Sequence, residues 1–67
     1  MKVSYNKLWK LLIDKGITQS DFRKQSGISF GSMTKMRKCE PISMDVLWKI
    51  CTTLGCNIGD VVEFDIS

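Results

Sequence analysis

A chain of 67 residues, 43% hydrophobic and 25% charged, can build one small core and is too apolar for wholesale disorder. No apolar run is long enough to cross a bilayer, and Met1-Lys2-Val3-Ser4-Tyr5-Asn6-Lys7 has no signal-peptide core. A single cytoplasmic domain over residues 1–67 is therefore expected. The net charge of +3 says little until its distribution is read. Between Asp21 and Glu40 there is no acid, but there are Arg23, Lys24, Lys35, Arg37 and Lys38. From Asn57 onward come Asp60, Glu63 and Asp65 and no base. A basic middle and an acidic tail favour a polyanionic partner at the middle, although a solvated charged face gives the same pattern.

A helix-start pattern recurs along the chain. An apolar residue precedes a Ser, Thr or Asn, and a second apolar residue follows four positions after that cap. The instances are Val3-Ser4 with Leu8, Ile17-Thr18 with Phe22, Ile28-Ser29 with Met33, Ile42-Ser43 with Leu47, and Cys56-Asn57 with Val61. Each is an N-cap with a hydrophobic staple, in which the cap oxygen takes an orphan backbone N–H. Gly16, Gly27 and Gly55 supply left-handed stops, and Pro41 ends the third helix at Glu40. The fold expected is an all-α, compact five-helix bundle, with helices at about 5–15, 19–26, 30–38, 44–54 and 58–63.

The first helix shows an apolar stripe of Leu8, Leu11 and Leu12, and the fourth shows Leu47, Ile50, Cys51 and Leu54. Trp9 and Trp48 fall beside these stripes and are placed at the core edge. Cys39, Cys51 and Cys56 are odd in number, and the chain has no histidine. Neither a disulfide framework nor a zinc site fits, so Cys51 and Cys56 read as small core residues, and no metal or cofactor is expected. The alternating tail Val62-Glu63-Phe64-Asp65-Ile66 suits a short strand. Its open edge offers a seam between two copies.

The second and third helices are joined by Ser26-Gly27-Ile28-Ser29, a tight turn of the helix-turn-helix type. At about 100° per residue, Met33 and Met36 set the buried side of the third helix. Gly31, Thr34, Lys35 and Lys38 then share the opposite side, flanked by Phe30 and Arg37. That face holds no acid and no large apolar residue. It is small at its start and cationic further on, as a helix that enters a major groove requires. A plain solvated face usually mixes charge signs, and this one does not.

The stretches Gly16-Ile17-Thr18-Gln19-Ser20-Asp21-Phe22, Ser26-Gly27-Ile28-Ser29 and Met33-Thr34-Lys35-Met36 resemble the lambda-repressor/Cro-like helix-turn-helix family, also called the xenobiotic-response-element type. So do Pro41 to Cys51, Leu54-Gly55-Cys56 and Gly59-Asp60, and the likeness runs from about Leu8 to Phe64. The resemblance implies a third helix that reads the major groove. It also implies that Gln19, opening the second helix, holds a phosphate, and that Phe30, Gly31, Thr34 and Lys35 touch bases. With Ser29, Arg37 and Lys38 these complete the candidate DNA-binding set. The chain departs from the pattern at three places. Arg23 stands where alanine is usual, Phe30 where a polar or basic residue is usual, and Arg37-Lys38-Cys39 where Glu-Asn-Gly is common.

The leading expectation is a sequence-specific double-stranded DNA-binding transcriptional regulator, acting as a repressor and binding an inverted-repeat operator as a homodimer. The alternative is an adaptor or antitoxin-like module that uses the same fold to bind a protein through Phe30 and the tryptophans. An enzyme is not expected, since no histidine, phosphate loop or cysteine–base pair is evident.

Overall fold

Helix starts follow from local hydrogen bonding at four of the five expected caps. In the computed structural model, which describes residues 2–66, Thr18, Ser29 and Ser43 accept the backbone N–H of Asp21, Ser32 and Val46. Asn57 closes a capping box with Asp60. The exception is the first. Ser4 lies in a strand instead, and the first helix starts at Asn6 with no side-chain cap.

The chain runs through β1 (Val3–Ser4), α1 (Asn6–Lys15), α2 (Gln19–Ser26), α3 (Phe30–Arg37), α4 (Met44–Leu54), a single 3-10 turn (Ile58–Asp60) and β2 (Glu63–Phe64). This corrects the five-helix bundle: the described residues form four α-helices and a two-stranded antiparallel sheet. The expected fifth helix stops after one 3-10 turn. Gly59 is a weak helix former, and the β-branched pair Val61-Val62 favours extended backbone. Immediately beyond, the backbone pairs with the N-terminus, Val3 opposite Phe64 and Ser4 opposite Glu63. The tail is thus a strand, as the alternation indicates. One edge, however, is filled by its own chain, which the sequence pattern could not reveal.

The core is made by Val3, Tyr5, Leu8, Leu12, Phe22, Ile28, Met33, Met36, Leu47, Ile50, Leu54 and Val61. Every helix contributes to it. Trp9 packs against its edge as expected, whereas Trp48 is 71% exposed and is not an edge residue. Cys51 and Cys56 are half-buried free thiols against the core. Burial pushes the Cys56 thiol above its ordinary value. Tyr5 is buried in the core, and its hydroxyl donates to the Glu40 carbonyl at 2.7 Å. That bond ties the start of α1 to the segment leaving α3. Burial also raises the Tyr5 phenol, which keeps it a neutral donor.

α3 ends earlier than Pro41 would require. The Cys39 N–H bonds to the Met36 carbonyl and the Glu40 N–H to the Lys35 carbonyl, at 3.2 and 2.8 Å. The same pair of bonds closes α1 around Gly16. This is the Schellman stop, which needs a left-handed residue. At the end of α3 that residue is Cys39, with φ of 58°. An L side chain in this conformation costs about 1–2 kcal/mol, partly offset on replacement by the greater unfolded-state freedom of glycine. Cys39→Gly is therefore expected to stabilise the protein by about 0.5–1 kcal/mol. Denaturant unfolding with an unchanged m-value measures it, and a loss of stability would overturn this account of the stop.

Candidate nucleic-acid interface

α2 and α3 meet across a turn whose central residue, Gly27, has φ of 73°. The Gly27 N–H closes α2 on the Arg23 carbonyl at 3.0 Å, and Ser29 then opens α3. Phe22 and Ser26 are buried on α2, and Met33 and Met36 on α3. The Ser26 hydroxyl donates to the Phe22 carbonyl at 2.8 Å, so its burial leaves no unmatched polar group.

The rest of α3 faces outward. Gly31, Thr34, Lys35, Arg37 and Lys38 are exposed, and Phe30 at the helix start is 73% exposed. Thr34 donates its hydroxyl to the Phe30 carbonyl at 3.0 Å, which leaves its oxygen lone pairs and its methyl group outward. Ser29 engages Ser32 through both its cap bond and its hydroxyl. Its role within the chain is therefore to start the helix. Gly31 opens the outer face with nothing but its backbone. A Cβ there would meet the Ser29 Oγ at 3.7 Å, an ordinary contact, so the fold itself does not require glycine at this position.

Two side-chain bridges join the helices in ways the sequence pattern does not show. The Arg37 Nε donates to the Gln19 Oε1 at 3.0 Å. Gln19, the first residue of α2, is thereby fixed beside the last turn of α3. Its amide N–H groups and the remaining Arg37 donors lie together, a pair suited to one phosphate. The second bridge sets the Arg23 guanidinium carbon 3.9 Å from the centroid of the Phe30 ring. Arg23 was not among the candidate residues. Its cationic head lies on the α3 side of the seam, so the departure from alanine is accommodated by stacking. Gln19, Phe30 and Arg37 are thus brought into one α2–α3 surface, with Gly31, Thr34, Lys35 and Lys38 along α3. The acids Asp60 and Glu63 lie in the 3-10 turn and β2, where Glu63 meets Lys7 at 3.6 Å.

No group of three or more metal-ligating side chains occurs among the described residues. No helix of the described residues is long and apolar enough to cross a membrane. An apolar groove of about 560 Å³ lies away from α3, lined by residues of α4 and the 3-10 turn, with Met44, Trp48 and Ile58 exposed around it.

Comparison with known proteins gives two findings. The family model described as the Cro/C1-type HTH DNA-binding domain matches residues 7–65. Among solved structures, the transcriptional regulator VanUg superposes with a TM-score of 0.89 at 45% sequence identity, covering 92% of this chain and 83% of that one. No curated protein matches the chain.

The glycine on the outer face generates a test. Gly31→Ala replaces a first-turn helical glycine with no steric penalty, so it is expected to stabilise the fold by up to about 0.5–1 kcal/mol. That corresponds to a rise in Tm of roughly 2–8 °C for a domain of this size. If the face approaches base edges closely, the same variant binds its preferred duplex more weakly despite the higher Tm. Thermal melting and duplex titration together check it, and a variant that is both more stable and an equally good binder would remove Gly31 from the interface.

Proposed function

Because the chain belongs to the Cro/C1-type helix-turn-helix DNA-binding family, we propose that it is a sequence-specific regulator of transcription that inserts α3 into the major groove of double-stranded DNA. The observation that carries this reading is the outer face of α3, where Gly31, Thr34, Lys35 and Lys38 are exposed with no acid among them, while Met33 and Met36 anchor the opposite side. Bases are read by Lys35, Thr34 and the Gly31 backbone, with Phe30 at the edge. Gln19, Arg37 and Lys38 serve the phosphates, and Ser29 supports the helix start as its N-cap. The acidic turn and tail are repelled by the duplex, which orients the chain with α3 inward. Repression is the regulatory act that this arrangement supports most simply, since occupancy of an operator is sufficient for it. DNA as partner also favours a cytoplasmic site of action, and residues 1–67 then act as one domain; Met1 and Ser67 lie outside the described residues.

Lys35→Ala tests this reading. It is expected to weaken binding to a selected operator by about 1–3 kcal/mol while leaving binding to random duplex nearly unchanged. Fluorescence titration at two salt concentrations measures both. An equal loss on both duplexes makes Lys35 a phosphate contact, and an absence of any duplex binding by the wild-type chain rejects the function.

We further propose a homodimer on an inverted repeat. A single eight-residue α3 spans few base pairs, and a two-fold pair sets two such helices about 34 Å apart. The tail edge suggested by the sequence is partly used within the chain, so the stronger support is the exposed apolar group Met44, Trp48 and Ile58. Trp48→Glu is expected to shift sedimentation of the free chain toward monomer and to weaken binding to a full palindrome more than to a half-site. Unchanged sedimentation of a dimeric chain would exclude this patch as the seam.

A further inference from the structure

Arg23 and Phe30 are two positions at which the α2–α3 surface departs from the family pattern, and the structure puts them in contact. The Phe30 ring is 73% exposed at the first position of α3, the end that such helices point at base edges. The Arg23 guanidinium covers one face of that ring, 3.9 Å from its centroid. Among the described residues, no hydrogen bond or ion pair of the chain engages its N–H groups. This differs from Arg37, whose Nε is committed to Gln19. Arg23 is therefore a fork of donors that is positioned by an aromatic face and lacks an internal acceptor. An exposed ring and a stacked guanidinium present two chemistries side by side, one apolar and one strongly donating.

Successive bases along one DNA strand are stacked about 3.4 Å apart. The Arg23 guanidinium carbon lies 3.9 Å from the Phe30 centroid, a comparable stacking distance. The matching partners in a major groove are also adjacent: a thymine offers its C5 methyl to an apolar contact, and a guanine offers O6 and N7 to the two donors of an arginine fork. Resting on the reading of the chain as a DNA-binding regulator, we propose that Arg23 and Phe30 act together as a specificity element for an adjacent thymine and guanine, with Phe30 on the thymine methyl and Arg23 bidentate to the guanine. The stack holds the guanidinium before contact, so less side-chain freedom is lost on binding than for an unsupported arginine. Arg23 lies on α2 rather than α3, so the reading surface extends across the helix seam.

The experiment selects duplexes from a random pool with the full wild-type chain, Arg23→Ala and Phe30→Ala, with the Tm of each variant confirming a folded protein at the assay temperature. The wild-type motif is expected to contain an adjacent thymine and guanine. Arg23→Ala is expected to lose the guanine preference at that one position, by about tenfold to a hundredfold, and to keep the rest of the motif. A second arm leaves the wild-type protein intact and replaces the thymine by uracil, removing only the methyl group. Binding by the wild-type chain should fall several-fold, and binding by Phe30→Ala should not change. A uniform loss for Arg23→Ala on every duplex makes it a phosphate contact and overturns the proposal. A wild-type motif without such a step, or with one that neither variant alters, overturns it too while leaving the DNA-binding function standing. If the wild-type chain enriches no sequence at all, the function reading fails, and the specificity element fails with it.

Discussion

Everything the surface of α3 can do depends on how little of α3 is buried. Met33 and Met36 are the two residues that this eight-residue helix gives to the core. Both are long and flexible, so they reach inward and leave the helix axis standing off the body. A third buried position would roll the helix and sink part of the face that carries Gly31, Thr34 and Lys35. Two buried residues alone would hold it loosely. The remaining constraint comes from its ends: the Ser29 cap at the start, the Schellman stop at Cys39, and the Tyr5 hydroxyl on the Glu40 carbonyl just beyond. The outward face is available because the restraint is placed at the termini instead of along the side.

That division explains which features were legible in the sequence. Caps and left-handed stops are decided within a few residues, so Thr18, Ser29, Ser43, Asn57, Gly16, Gly27 and Gly55 stand where the pattern puts them. The outward face of α3 follows from helical geometry once two methionines are taken as buried. Features set by partners distant in the chain were not legible. Val3-Ser4 reads as a cap and becomes a strand because Glu63-Phe64 pairs with it, some sixty residues later. Asn57 to Glu63 reads as a helix start and yields one 3-10 turn, because Gly59 and Val61-Val62 weaken the helix and the backbone just beyond pairs with Val3-Ser4. Trp48 sits beside an apolar stripe and is still exposed, because whether that side of α4 is covered depends on where the other elements pack. The Arg37–Gln19 and Arg23–Phe30 bridges also depend on the relative placement of two helices.

The two bridges differ in what they mean for the interface. Arg37 and Gln19 are both exposed, and a neutral-to-cationic hydrogen bond between exposed groups adds little to stability, since water competes for both partners. Its consequence is orientation: it brings a helix N-terminus, an amide and a guanidinium to one place, a combination that favours an anion. The same reasoning applies to Lys7 and Glu63, half-exposed at 3.6 Å, which contribute little to the fold but keep a base and an acid together at the tail. Surface charge in this chain is thus one-signed only around α3, whereas the acids near β2 have Lys7 beside them.

The departures from the family pattern can be weighed in the same terms. Cys39 in a left-handed stop is a local cost: its side chain is exposed and the conformation is what the stop requires. Arg23 and Phe30 are different because each makes the other acceptable. A phenylalanine exposed at the head of α3 would present bare apolar surface to water, and an arginine in place of alanine would crowd the helix seam. Stacked, the guanidinium covers one ring face, and the ring gives the arginine a place outside the core. Neither substitution is explained by stability alone, since an alanine and a polar residue would satisfy both positions at lower risk. What the pair adds is an exposed ring with a donor fork stacked on it beside the Gly31 opening, and such a feature has consequences chiefly for whatever docks there.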